Sequence, residues 1–177
     1  MSLVDRLAAY AEYHRDKRNI ATHFVGIPMI LVGTQSALAR IGIGPINAAV
    51  GATGLATRYY RAIDPQYGAA MGVFLGATCA VGTAIAHLPT PLWAGATAGL
   101  LAGGWAFQLL GHYFEGRKPA FLDDLMSLLD GPLFLVAEAA FAFGLSPELR
   151  AEIERRAGPT RWGNIAAADV SVAAAAG

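Results

Sequence analysis

The chain has 177 residues, enough for one domain with a sizeable core. Its 13 basic residues balance 13 acidic ones, leaving no bulk charge for a nucleic acid or another polyanion. Apolar residues make up 55% and charged residues only 15%, against roughly 25% charged in ordinary soluble domains.

The N-terminal stretch MSLVDRLAAYAEYHRDKRN mixes acids and bases and has no apolar core of signal-peptide type, so no cleavable signal is expected. Residues 3–15 predict an amphipathic helix: Leu3, Leu7, Tyr10 and His14 fall at helical spacing, and Val4, Ala8 and Ala11 widen the stripe. Arg15, Lys17 and Arg18 follow as a basic cluster that suits anionic lipid headgroups or an ordinary solvated face.

Charge then thins out. Between residues 24 and 87 only Arg40, Arg58, Arg61 and Asp64 are charged, and residues 88–112 carry none. Four apolar segments result. Residues 24–39 are short for a full span. Residues 44–60 follow the breaker Gly42-Ile43-Gly44-Pro45 and end at Tyr59 and Tyr60, as interfacial aromatics often do. Residues 67–88 and 91–111 both reach the ~20 residues that cross a bilayer. These last two are rich in Gly and Ala, which lets transmembrane helices approach closely, and Cys79 in the first of them is expected to be a buried packing thiol. Residues 121–130 predict an amphipathic stretch lying along the interface. Residues 131–145 are apolar but carry Glu138, and fit a fifth span, a tilted one or a half-inserted helix. Ser146-Pro147 opens a charged amphipathic helix over 147–157, and the tail 166–177 is low in complexity and expected to be disordered. The predicted fold is therefore all-α: a compact transmembrane bundle of four to five membrane segments with an N-terminal amphipathic helix. Residues 1–146 form one membrane-embedded domain in this reading, and 147–177 an extension.

Loop charges orient the bundle. Arg6, Arg15, Lys17 and Arg18 precede the first segment, Arg58 and Arg61 lie between the second and third, and Arg117 and Lys118 follow the fourth. The opposite loops hold only Arg40. The three basic regions share one face, read as cytoplasmic, in a multi-pass integral membrane protein. His14, His23 and His112 fall at that face, whereas His87 closes the third segment at the far one. On a single straight helix His14 and His23 would point to nearly opposite sides, so they can share a ligand only if the chain bends between them, with Asn19 and Thr22 as plausible caps for the break.

Three neutral imidazoles at one membrane face suit a divalent transition metal. A non-haem iron centre usually adds a carboxylate. Glu115, three residues after His112 and on the same helical face, could complete or support such a site. Glu138 is the other candidate; an acid at that depth needs a metal, a histidine or an arginine as partner, or serves only as an inter-helix hydrogen bond.

Longer motifs carry a resemblance. Residues 13–28, YHRDKRNIATHFVGIP, hold His14, Asn19, His23, Gly26 and Pro28 in a pattern similar to the opening motif of the Mpo-type 2-hydroxy fatty acid (2-hydroxy-palmitic acid) dioxygenases. Residues 105–120, WAFQLLGHYFEGRKPA, resemble the second motif through Gln108, Gly111, His112, Glu115, Arg117, Pro119 and Ala120. Residues 132–141, PLFLVAEAAF, resemble the third through Pro132, Phe134 and Glu138. The likeness spans most of residues 10–145. It implies a small multi-span membrane enzyme that uses Fe(2+) and O₂ to shorten a 2-hydroxy fatty acid by one carbon. By position it makes His14, His23 and His112 iron ligands or near neighbours of the iron, and Asn19 an orienting group behind them. Glu115 and Glu138 match its acidic positions, and Arg117 or Lys118 could hold the substrate carboxylate. The competing reading is a small membrane lipid-binding or transport protein without metal chemistry, built around Glu138.

Overall fold

The computed structural model describes residues 1–43 and 46–163. Gly44 and Pro45 of the breaker, and the tail 166–177, lie outside the described residues. Among those described, seven α-helices account for nearly all the regular structure: α1 Leu3–Ala11, α2 Lys17–Ala39, α3 Ala48–Ile63, α4 Pro65–Ala86, α5 Thr90–Glu115, α6 Ser127–Ala142 and α7 Pro147–Ala157. The chain divides into two units, one of residues 1–24 and 107–177 and one of residues 25–106.

In the first unit, Ser2 and Asp5 start α1 through a reciprocal capping box. Leu7, Ala8, Tyr10 and Ala11 turn inward and pack α1 against α6 and α7, in a core with Leu133, Phe134, Ala137 and Ile153. The helix stops at Ala11, short of the predicted residue 15, because a turn at Glu12 and Tyr13 redirects the chain. The bend between His14 and His23 exists, but its cap is neither Asn19 nor Thr22, which both lie inside α2. Asp16 does the work. Its Oδ1 accepts the Arg18 amide at 2.8 Å, satisfying a first-turn donor, and its carboxylate also pairs with the Arg18 guanidinium. Asp16→Ala is expected to cost about 1 kcal/mol of stability in detergent unfolding, with Asp16→Asn recovering most of it.

Arg15 departs from its expected role as a headgroup anchor or solvated charge: its side chain is 2% exposed. Residues 121–130 likewise do not form one surface helix. A 3₁₀ turn covers Ala120–Leu122, and α6 begins at Ser127 and continues through Pro132, so Glu138 belongs to the same helix as Ser127. The helix α7 occupies the residues of the predicted charged helix, with Pro147 in its first turn, and is bent from α6 by 120°.

In the second unit, a short hairpin pairs Gly42–Ile43 with Ile46–Asn47. Asn47 then caps α3 by accepting the Val50 amide. Asp64 ends α3 and opens α4: its backbone is extended, as a residue before proline prefers, and its carboxylate accepts the Tyr67 amide at 2.8 Å. Cys79 is buried with Met71 and Leu75 on α4. Small residues let α5 meet α2 closely; a methyl on Gly104 would lie 2.9 Å from the Gly26 carbonyl oxygen. Polar side chains inside this unit pair with each other, as Ser36 does with Thr97 at 2.9 Å.

Two of the described helices, α2 and α4, are long and apolar enough to cross a membrane, and a third crossing results if the bent α6–α7 pair is one broken span. The first apolar segment reaches that length because the helix starts at Lys17 rather than Phe24, recruiting the polar motif residues as its first turns. By contrast α3, with 16 residues, is shorter than the ~20 a span needs.

Candidate metal centre

His14 stands on the turn between α1 and α2, His23 on α2 and His112 on α5, all within the first unit. Their ring nitrogens come within 4.8 Å of one another. Exposure is 0% for His14, 1% for His23 and 7% for His112. The three rings meet edge to face, with centroids 4.6 to 5.2 Å apart, so they surround a point rather than stack.

Tautomers follow from the hydrogen bonds. His14 Nδ1 lies 2.8 Å from the Tyr10 carbonyl oxygen, and His23 Nδ1 lies 2.9 Å from the Asn19 carbonyl oxygen. A carbonyl only accepts, so each Nδ1 carries the hydrogen and each Nε2 presents a lone pair. Those two Nε2 atoms face each other at 3.1 Å. Two lone pairs at that distance repel unless a proton or a cation lies between them. Burial, and then the neighbouring His23 ring, hold the His14 pKa well below its ordinary value, which disfavours the proton. A cation fits: nitrogens about 2.0–2.1 Å from one ion can sit this close, and a backbone carbonyl on the other ring nitrogen is the usual support of a metal-binding histidine. His112 adds an orphan, since its Nδ1 is buried with no hydrogen-bond partner.

The ring positions are built by what surrounds them. Tyr10 stacks flat on His14 at 4.1 Å, and Phe134 closes the same side. Glu115, 1% exposed, accepts the backbone amides of Arg15 at 3.1 Å and Asp16 at 2.9 Å, and the Asn19 carboxamide at 3.0 Å. It thereby ties α5 to the turn that carries His14. Asn19 also donates to the Tyr13 carbonyl, so one side chain braces both ends of that turn. Glu138 has an arginine as its charged neighbour: its Oε1 is 3.9 Å from Arg15 Nη2, beside a small cleft lined also by Phe141, Arg150, Glu154 and Thr160. Arg117 donates to the Glu12 carbonyl and lies over the Tyr13 ring, and Lys118 pairs with Asp123. The structure thus gathers His14, His23, His112, Asn19 and Glu115, and gives Glu138, Arg117 and Lys118 other partners. His87 belongs to the second unit, where it is the exposed C-cap of α4.

Two contributors went unassigned in the sequence. Gly111 lies so close to α2 that a methyl there would come within 2.3 Å of both Asn19 Oδ1 and Thr22 Oγ1. The second motif marks this glycine, but nothing along the chain says which helix it lets approach. Gln108 is one turn before His112, is buried, and has no partner for its Nε2 donor. An amide inside an uncharged run was the available signal.

Comparison with known proteins agrees on one family. The family described as 2-hydroxy-palmitic acid dioxygenase Mpo1-like matches residues 1–143. The 2-hydroxy-palmitic acid dioxygenase MPO1 of Saccharomyces cerevisiae is 31% identical over 157 residues, covering 87% of this chain and 88% of the yeast protein. No solved structure gives a significant match.

Proposed function

Because the chain belongs to the Mpo1-like 2-hydroxy-palmitic acid dioxygenase family, we propose that it is a non-haem iron dioxygenase that converts a 2-hydroxy fatty acid into the fatty acid one carbon shorter. The observation that carries this reading is the pair of bare Nε2 atoms of His14 and His23 meeting 3.1 Å apart in a buried cluster with His112. His14, His23 and His112 would hold Fe(2+) there. When bound, iron supplies the redox chemistry that joins a 2-hydroxy acid to dioxygen. The bond between the carboxyl carbon and C2 would break: C2, gaining one oxygen atom of dioxygen, becomes the new carboxyl group, the old one leaves as CO₂, and the other oxygen atom leaves as water.

The chain's own groups divide the remaining work. The Tyr10 and Asn19 carbonyls keep the Nδ1 hydrogens and so leave both Nε2 atoms free to bind. Glu115 and Asn19 position the His14 turn. Gln108, with its free buried donor, is available to a substrate oxygen, and Arg117 or Lys118 supplies positive charge for the carboxylate. Glu138 tunes the site through Arg15. In this reading residues 1–146 are the catalytic domain of a multi-pass membrane protein, the centre faces the cytoplasm, and α5 and α6 join α2 and α4 as four membrane segments, or five with the shorter α3, among membrane lipids.

Purified protein in mild detergent is expected to release CO₂ and the shortened acid from a 2-hydroxy acid but not from its 3-hydroxy isomer. A chelator should abolish turnover, and Fe(2+), but not Mg²⁺, should restore it. Wild-type protein that takes up no transition metal, consumes no O₂ and still binds fatty acid would instead be a lipid-binding or transport protein.

A further inference from the structure

The His14 turn is held from a second direction, by residues beyond the 1–143 that the family match covers. After α7 the chain runs back beside this turn. Arg161 donates its amide to the Arg15 carbonyl at 2.8 Å and accepts the Lys17 amide at 2.9 Å, a two-way pairing across Asp16. Arg15 returns the contact by donating Nη1 to the Gly158 carbonyl at 2.8 Å. The Arg161 guanidinium approaches Glu115 at 3.9 Å. Glu115 itself accepts the Arg15 and Asp16 amides. Every backbone amide from Arg15 to Lys17 is therefore claimed by a group remote in sequence, with Glu115 and Arg161 sharing the task. The segment is anchored in turn by α7, which buries Ile153 and pairs Arg156 with Asp5 of α1 at 2.9 Å.

We propose that residues 158–162 are a strap that positions His14 for metal binding, with Arg161 as its principal positioning residue. The proposal rests on the metal-centre reading above. Unlike α2 and α5, which place His23 and His112 on helices of many turns, the connection between α1 and α2 has no regular structure of its own to hold His14. A turn left to itself opens easily, because few of its backbone bonds are local. The strap converts it into a fixed edge.

The test uses the full chain in detergent, with Co²⁺ as the probe metal. Three variants serve: Arg161→Pro removes the amide donated to Arg15, Arg161→Ala removes the guanidinium near Glu115, and Arg161→Lys restores the positive charge. Two quantities are read: the rate at which a chelator strips Co²⁺, and hydrogen exchange of residues 12–18 in metal-free protein. For Arg161→Pro, faster exchange confined to that segment is expected, with metal release accelerated by about 10- to 100-fold, the range typical of lost supports behind metal ligands. Arg161→Ala should show a smaller change in the same direction, reversed by Arg161→Lys, so an Arg161→Pro chain that fails to fold leaves the test intact. Unchanged exchange and release in wild-type-like, metal-binding variants would overturn the strap and leave the metal centre standing. Wild-type protein that binds no Co²⁺ would overturn the metal centre, and with it the strap's role toward a metal; exchange would then show whether it holds the turn at all.

Discussion

Replacing His23 by alanine is expected to strip the centre: bound iron falls from about one equivalent per chain to none detectable, and 2-hydroxy acid turnover is lost with it. His14 and His112 would remain, but two buried neutral imidazoles with no carboxylate grouped with them among the described residues are a poor site for a divalent ion. The buried acids near the turn are otherwise engaged, Glu115 with the Arg15 and Asp16 amides, Glu138 beside Arg15 and Asp16 with Arg18. Folding should survive, because removing His23 also relieves the repulsion of two facing lone pairs. Elemental analysis of the purified protein measures the metal, and circular dichroism the fold. His14→Ala and His112→Ala should behave alike, whereas His87→Ala, at the exposed cap of α4, should keep its iron. Iron retained at wild-type levels in His23→Ala would place the metal elsewhere.

The second large effect comes from a residue with no side chain. Gly111→Ala puts a methyl within 2.3 Å of Asn19 Oδ1 and Thr22 Oγ1 and 3.1 Å of His23 Nδ1. Asn19 has little freedom to yield, since its carboxamide already donates to Glu115 and to the Tyr13 carbonyl. Either α5 moves away from α2, taking His112 with it, or Asn19 gives up the bonds that brace the His14 turn. A loss of about 1–3 kcal/mol in unfolding stability is expected from overpacking, together with markedly weaker iron retention. Gly99→Ala provides the contrast on the same helix. Nothing lies within 4 Å of its added methyl, so stability should hold or rise by up to about 1 kcal/mol, the helix propensity gain. Equal behaviour of the two variants would mean that close approach at Gly111 does not shape the site.

Much of this was legible along the chain. The apolar runs set an all-helical architecture, and the Ser146-Pro147 junction marked a helix boundary through a rule that acts over a few residues. Motif spacing singled out His14, Asn19, His23, His112 and Glu115. The places where reading along the chain went astray share a cause. Along the chain Arg15 belongs to a basic cluster with Lys17 and Arg18 that suits headgroups or a solvated face, yet its burial is set by Ala11, His14, Gly158 and Glu138 around it. The bend before α2 was assigned to Asn19 and Thr22 because both can cap, while Asp16, the residue that caps, also does so beside an arginine that competes for its charge.

The sequence by itself therefore determined the helical, strongly apolar character of the protein and which histidines to suspect, because hydrophobic periodicity, caps and motif spacing are local and repeat along the chain. Only the tertiary structure decided that His14 and His23 meet through bare Nε2 atoms, that Glu115 grips the intervening turn, and that Gly111 permits it. The last two depend on residues about a hundred positions apart coming together, and the first on the turn that they hold. Distances of that kind are set by how helices pack, and no local pattern carries them.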